Sequence, residues 1–112
     1  MHVATLAAVS TPTVAPERKA TIETLLAHRA ELEARGVRSL SITGSVARGD
    51  ATPESDVDVL ADVEPERNLW DDLRTQYYLE ELLQRKIDFI PRDYRIRPRI
   101  RTQLEADAVR VF

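Results

Sequence analysis

Cysteine is absent from this 112-residue chain. Disulfides, zinc–thiolate sites and thiol catalysis are therefore excluded. Aromatic residues make up only 5%, too few to build stacking platforms for single-stranded nucleic acid. No apolar run approaches the roughly 18 residues that a membrane span requires. An excess of positive charge is also missing: the formal net charge is −3, which argues against DNA binding by the whole surface. Glycine is scarce, with three in the chain. What remains is ordinary for one globular domain, with 43% hydrophobic and 31% charged residues. The length supports a single modest core, and the cytoplasm is the default location.

Two of the three glycines fall in one stretch, Gly44–Leu60 (GSVARGDATPESDVDVL). Upstream, Val37–Thr43 reads as a strand, with Leu40 and Ile42 on one face. At Gly44-Ser45 a tight turn lets the backbone approach a ligand with no Cβ in the way. Val46–Arg48 can begin a short helix whose free N–H groups, with the Ser45 hydroxyl, would face an anion. This is a phosphate cradle, though neither a Walker A loop nor a dinucleotide fingerprint. Downstream, Asp56–Val63 reads as the next strand. Asp56 and Asp58 then point to one face, with Cα atoms roughly 6.6 Å apart. Two carboxylates so placed repel unless a cation lies between them. Mg²⁺ suits that site, because it takes one or two carboxylates and completes its shell with phosphate oxygens and water. Val57 and Val59 point the other way and suit a core.

The run Gly44-Ser45, ten residues, Asp56-x-Asp58 resembles the signature of the DNA polymerase β-like nucleotidyltransferases. The fuller form, Gly44-Ser45-Val46-Ala47-Arg48-Gly49 with Ser55-Asp56-Val57-Asp58, resembles the minimal nucleotidyltransferases, which are often antitoxin partners of HEPN-domain toxins. The four fixed positions would match by chance on the order of once in 10⁵ start points, so the match is specific. It extends from about Leu25 to the C-terminus.

The remaining chain is consistent with one such domain over residues 17–112, preceded by a tail at 1–16. The tail is small, uncharged and closed by Pro12 and Pro16. It lacks the basic start of a signal peptide and reads as a frayed end or a partner-docking segment. Glu17–Arg35 reads as a helix stopped by Gly36, with His28 a surface or half-buried side chain. Asn68 is the expected N-cap of a helix over Leu69–Arg85. Its apolar stripe is traced by Leu69, Leu73, Gln76, Leu79 (or Glu80) and Leu83, and Trp70 is expected in the core. Lys86–Pro91 reads as a third strand containing Asp88, either an edge charge or a third site carboxylate. Arg92–Arg101 (RDYRIRPRIR) holds five arginines and leads into a helix from about Pro98 to Val109. These arginines are either solvated balancing charges or an anion-binding edge.

The predicted fold is α/β (α+β): a small mixed sheet of three or four strands with helices mainly on one face. The resemblance implies transfer of AMP from ATP to a hydroxyl with release of pyrophosphate. It assigns Gly44 and Ser45 to the β- and γ-phosphates and Asp56 and Asp58 to two Mg²⁺ ions. Asp88, the matching third acid, would share a metal ion and accept the proton of the attacking hydroxyl. Arg48 is either a phosphate contact or a surface charge. A domain this small has little room for an acceptor-binding lobe, so the acceptor is a docked partner or a small molecule. The resemblance implies a HEPN toxin, AMP added to one of its tyrosines, and a hetero-oligomer. Two alternatives stay open: a non-catalytic antitoxin that covers its partner, and a small-molecule nucleotidyltransferase.

Overall fold

The computed structural model describes residues 14–112. The first thirteen residues of the expected tail lie outside the described residues, and a helix already begins at Val14. The elements are α1 (Val14–Ala27), α2 (Arg29–Ala34), β1 (Val37–Thr43), α3 (Gly44–Arg48), β2 (Val57–Val63), α4 (Leu69–Leu83), β3 (Ile87–Pro91), α5 (Pro98–Asp107) and β4 (Val109–Arg110).

The sheet is mixed, in the order β3-β2-β1-β4. The β1 strand runs antiparallel to β2 and to β4, whereas β2 and β3 are parallel. A parallel pair needs a crossover, and α4 supplies it. Register decides which residues share a face. Thr43 pairs with Asp58 and Asp58 with Asp88, so these three lie in one row across three strands. The next row, Ile42, Val59 and Phe89, points to the opposite face. That second face carries the core, where Leu40, Ile42, Val57, Val59, Ala61, Ile87 and Phe89 pack with Leu25, Leu32 and Leu79 from α1, α2 and α4. The helices therefore cover mainly one face, as the sequence pattern predicts.

Helix α5 crosses the polar face instead. It is tied there by the Thr43 hydroxyl, which donates to the Leu104 carbonyl at 2.6 Å. Arg92 adds a clamp, donating to Glu105 of α5 and to Asp62 of β2. The fourth strand, β4, is two residues long with no periodicity of its own, and it takes Val109, to which the helix from Pro98 was expected to run. It exists because α5 ends at Asp107 and returns the chain to the open edge of β1, where Val111 N–H donates to the Leu40 carbonyl at 2.8 Å.

Two helix expectations differ from the structure. The helix expected over Glu17–Arg35 breaks at His28, which leaves helical geometry at φ −112° and ψ 21°. The half-buried His28 ring bonds the Thr24 carbonyl at 2.9 Å. Trp70 is not in the core: it is 66% exposed, and Leu69 and Tyr77 are comparably open. The buried positions of α4 are Asp72, Thr75 and Leu79, so its inner stripe is rotated from the apolar one. Asp72 can be buried because Arg67 donates to one carboxylate oxygen at 2.6 Å and Tyr94 to the other at 2.7 Å. Arg67 also forks onto both oxygens of Asp93 at 2.8 and 2.9 Å. That network locks the turn before α4 to the turn after β3. Asn68 caps α4 as expected, with a full capping box to Asp71.

Candidate active site

The site is built where β1 ends. Thr43 is fully buried, and the chain then turns sharply through Gly44 at φ +72°. A side chain at that position would be strained by the backbone alone. It would also collide: a Cβ on Gly44 would lie 2.3 Å from the Asp58 carboxylate oxygen Oδ2. The absence of a side chain thus lets the backbone of the turn lie directly against the acid.

Helix α3 follows at once. Its one turn is closed by Gly49 in the left-handed region, with Gly49 and Asp50 N–H donating to the Ser45 carbonyl at 2.8 and 3.0 Å. Val46 and Ala47 are buried in the core cluster, which anchors the turn. Thr43 at the cap gives its hydroxyl to α5 rather than to the helix N–H groups, which leaves that end of α3 without a side-chain cap.

Two residues that the sequence reading did not single out hold the cradle in place. Arg18 of α1 donates to the Ala47 carbonyl at 2.8 Å. Arg85, just after α4, donates to the Thr52 and Ser55 carbonyls at 3.1 and 2.5 Å and pairs with Glu17. The one-turn helix is therefore braced from α1, and the loop that leads to the acids from the end of α4. These contacts span about thirty residues or more of sequence, and no local pattern signals them.

Asp58 sits second in β2, beside Asp88 in the parallel register, with neighbouring strands about 4.8 Å apart. Asp56 lies just before the strand, which starts at Val57 rather than at Asp56. Burial, then the charge of Asp88 and a hydrogen bond to it, then Asp56, push the Asp58 carboxyl up from 3.8 to about 6, against a smaller opposing effect of Arg48. Asp88 is the exposed member of the pair and Asp58 is half-buried. Among the described residues, no three His, Cys, Asp or Glu side chains form a cage for a metal ion. The acids offer oxygen ligands only, converge from two strands, and are held in mutual repulsion. That donor set fits a hard cation sharing its shell with phosphate oxygens.

Arg48 is engaged elsewhere. It bonds Asp50 at 3.2 Å and Asp107 of α5 at 2.8 Å, and is 44% exposed. The arginine run divides. Arg92 and Arg101 point inward and tie β3 to α5, Arg101 donating to the Arg92 and Tyr94 carbonyls. Arg95, Arg97 and Arg99 are exposed.

A glycine turn, a one-turn helix and a paired-acid strand on one sheet form a recognisable unit. The model of the nucleotidyltransferase domain family matches residues 23–111. The chain belongs to this family. Protein adenylyltransferase MntA of Thermococcus cleftensis is 42% identical over 71 residues, covering 62% of this chain and 72% of that protein. Protein MJ0126 of Methanocaldococcus jannaschii, named as a candidate protein adenylyltransferase, is 33% identical over 88 residues, covering 78% of this chain and 90% of its own. A solved structure described as a candidate minimal nucleotidyltransferase superposes with a TM-score of 0.65 at 31% identity, covering 89% of this chain and 97% of that one. A toxin–antitoxin structure with AMP-PNP shares the fold, with a TM-score of 0.63 at 13% identity, over 78% of this chain and 72% of that one. The chain is thus a minimal nucleotidyltransferase with a mixed four-stranded sheet. No helix among its described residues is long and apolar enough to cross a membrane.

Proposed function

We propose that this nucleotidyltransferase is a Mg²⁺-dependent protein adenylyltransferase. It moves AMP from ATP to a hydroxyl, a tyrosine on a partner HEPN toxin, and acts as the antitoxin of that pair in the cytoplasm. The observation that carries the reading is the Gly44 backbone pressed against Asp58, with Asp88 in register beside it. A triphosphate held by the Gly44 turn would thereby lie against the acids, as nucleotidyl transfer requires.

Gly44 and Ser45 hold the β- and γ-phosphates through backbone N–H groups and the Ser45 hydroxyl. Arg48, on the same turn, exchanges its exposed contact with Asp50 for a phosphate oxygen. The acceptor oxygen attacks the α-phosphorus. A new P–O bond forms as the bond from that phosphorus to the bridging oxygen breaks, and pyrophosphate leaves. Asp88, exposed beside Asp58, takes the hydroxyl proton. Asp56, Asp58 and Asp88 would hold two Mg²⁺ ions against the triphosphate, which supply charge neutralisation and a lowered pKa for the acceptor hydroxyl. Asp88 is exposed beside half-buried Asp58, which leaves this edge of the site approachable by a macromolecular acceptor. The name of the Thermococcus relative and the nucleotide in the toxin–antitoxin neighbour support the same reading.

A second reading has one observation in its favour. Arg48 turns to Asp50 and Asp107 rather than to the phosphate cradle, which suits a chain that neutralises its partner by covering it, without catalysis. Label transfer from α-labelled ATP to the partner separates the two. The wild type is expected to transfer label in Mg²⁺, and the Asp56→Asn/Asp58→Asn variant to fall to background with an unchanged circular dichroism spectrum. Equal transfer by both proteins would overturn the assignment of the acids.

A further inference from the structure

The outer face of α4 has the composition of a protein interface. Trp70, Arg74, Tyr77 and Glu81 recur at i, i+4, i+7 and i+11, which is one stripe of a helix. Trp70 and Tyr77 are 66% and 62% exposed, and the Arg74 side chain is 69% exposed. The chain has six aromatic residues, and three of them, Trp70, Tyr77 and Tyr78, lie on this helix. Tryptophan, tyrosine and arginine are the residue types that dominate interface energetics. Beside the stripe runs a groove of about 340 Å³ lined by Arg35, Arg74, Tyr77, Tyr78 and Glu81. The Arg35 guanidinium stacks over the Tyr78 ring, 4.2 Å from its centroid, and gives the groove a rigid wall.

The charges on the stripe are arranged in opposite halves of the helix. Arg74 lies toward the N-terminal half and Glu81 toward the C-terminal half of Leu69–Leu83. A second α4 laid antiparallel, with the two-fold axis between Tyr77 and Tyr78, brings Arg74 opposite Glu81 of the second copy, and Glu81 opposite its Arg74. The positions sum to the same value in both pairs (74 + 81 and 77 + 78), as an isologous contact demands. We infer that this face of α4 is a homodimer interface, a second copy of this chain docking antiparallel on the Trp70–Glu81 stripe with Tyr77 of each copy seated in the other's groove. Arg74 gives up only an exposed i,i+3 pair with Asp71 at 3.1 Å, which is a weak tie. Helix α4 packs on the sheet face opposite Asp58 and Asp88, so both acid sites of the dimer stay open to acceptors. The inference stands on charge and geometry alone and does not depend on the adenylyl-transfer reading.

Sedimentation and light scattering of the full chain, from about 1 µM to about 100 µM, test it. The wild type is expected to dimerise in this range. Arg74→Glu and Glu81→Arg, each placing like charges opposite one another twice per dimer, should each weaken association by about a hundredfold. The combined Arg74→Glu/Glu81→Arg variant restores both pairs and should dimerise within about threefold of the wild type. Circular dichroism checks that all three exposed-site variants fold. A monomeric wild type, single reversals that leave the dimer intact, or a double swap that stays monomeric would each overturn the inference.

Discussion

Replacing Gly44 with alanine tests the closest contact in the site. Two costs arise from separate features. The first is backbone strain, since Gly44 has φ +72°. A non-glycine residue there costs about 1–2 kcal/mol. The second is the collision of the new Cβ with Asp58 Oδ2 at 2.3 Å. Ordinary contact begins at 3.4 Å, so the carboxylate oxygen must retreat by about 1.1 Å. The Asp58 Cγ and Cβ are already at 3.3 and 3.5 Å, so the side chain can yield by rotation and the fold survives. Catalysis does not tolerate such a shift: a displacement of about 1 Å in a reacting group costs roughly a hundredfold. Gly44→Ala should therefore lower the melting temperature by roughly 4–16 °C, given about 4–8 °C per kcal/mol in a domain of this size. It should also cut the AMP transfer rate by about a hundredfold or more. The decisive control is Asp58→Ala, which removes the colliding oxygen. In that background the stability cost of Gly44→Ala should shrink to the strain component. Differential scanning calorimetry of the four proteins gives the coupling. If the cost of Gly44→Ala is the same with and without the Asp58 carboxylate, the proposed contact is wrong. Transfer activity within about threefold of wild type would be equally damaging.

Two further outcomes are expected. Burial and the neighbouring acids raise the folded-state pKa of Asp58 from 3.8 to about 6. The folded state then binds the proton more tightly than the unfolded one, so this contribution to stability is full below pH 3.8 and is lost as pH rises through about 6. In metal-free buffer Asp58→Asn should stabilise the protein at pH 7.5 by about 1 kcal/mol after allowance for the half-exposed setting, and the gain should vanish near pH 4; a thermal melt at each pH reads it. Arg67→Ala should cost about 3 kcal/mol in urea unfolding, because the Arg67 and Asp72 side chains are only 10% and 8% exposed and Asp72 would be left buried with Tyr94 alone. A loss below about 1 kcal/mol would mean that the network is not desolvated as described.

Where the sequence was informative, chemistry and geometry coincide locally. Gly44-Ser45, Asp56 and Asp58 are close in sequence, and strand alternation put Asp58 on the polar face and Val57 and Val59 in the core. Asp88 was legible because one charge in an apolar strand needs a reason, and the register set it beside Asp58. What could not be read depends on distant partners. Trp70 was expected inside because apolar spacing was assumed to mark the buried stripe of α4. The structure buries Asp72 and Thr75 instead, and that is possible only because Arg67 and Tyr94 arrive from other segments. Arg92 and Arg101 read as either solvated charge or an anion-binding edge, yet they fasten the turn after β3 to α5. The braces at Arg18 and Arg85 have no local signature either. The strand β4 gains its hydrogen bonds from β1, not from its own two residues.

The central claim is AMP transfer to a protein partner through the acids of the Gly44–Leu60 unit. Intact mass spectrometry tests it most directly, after incubation of the purified chain with Mg²⁺, ATP and the protein encoded beside it. The account predicts that the partner gains whole AMP units on tyrosine, and that the Asp56→Asn/Asp58→Asn variant adds none while still binding the partner. An unmodified partner in a stable complex with the wild-type chain would contradict it, leaving a nucleotidyltransferase fold that neutralises by covering.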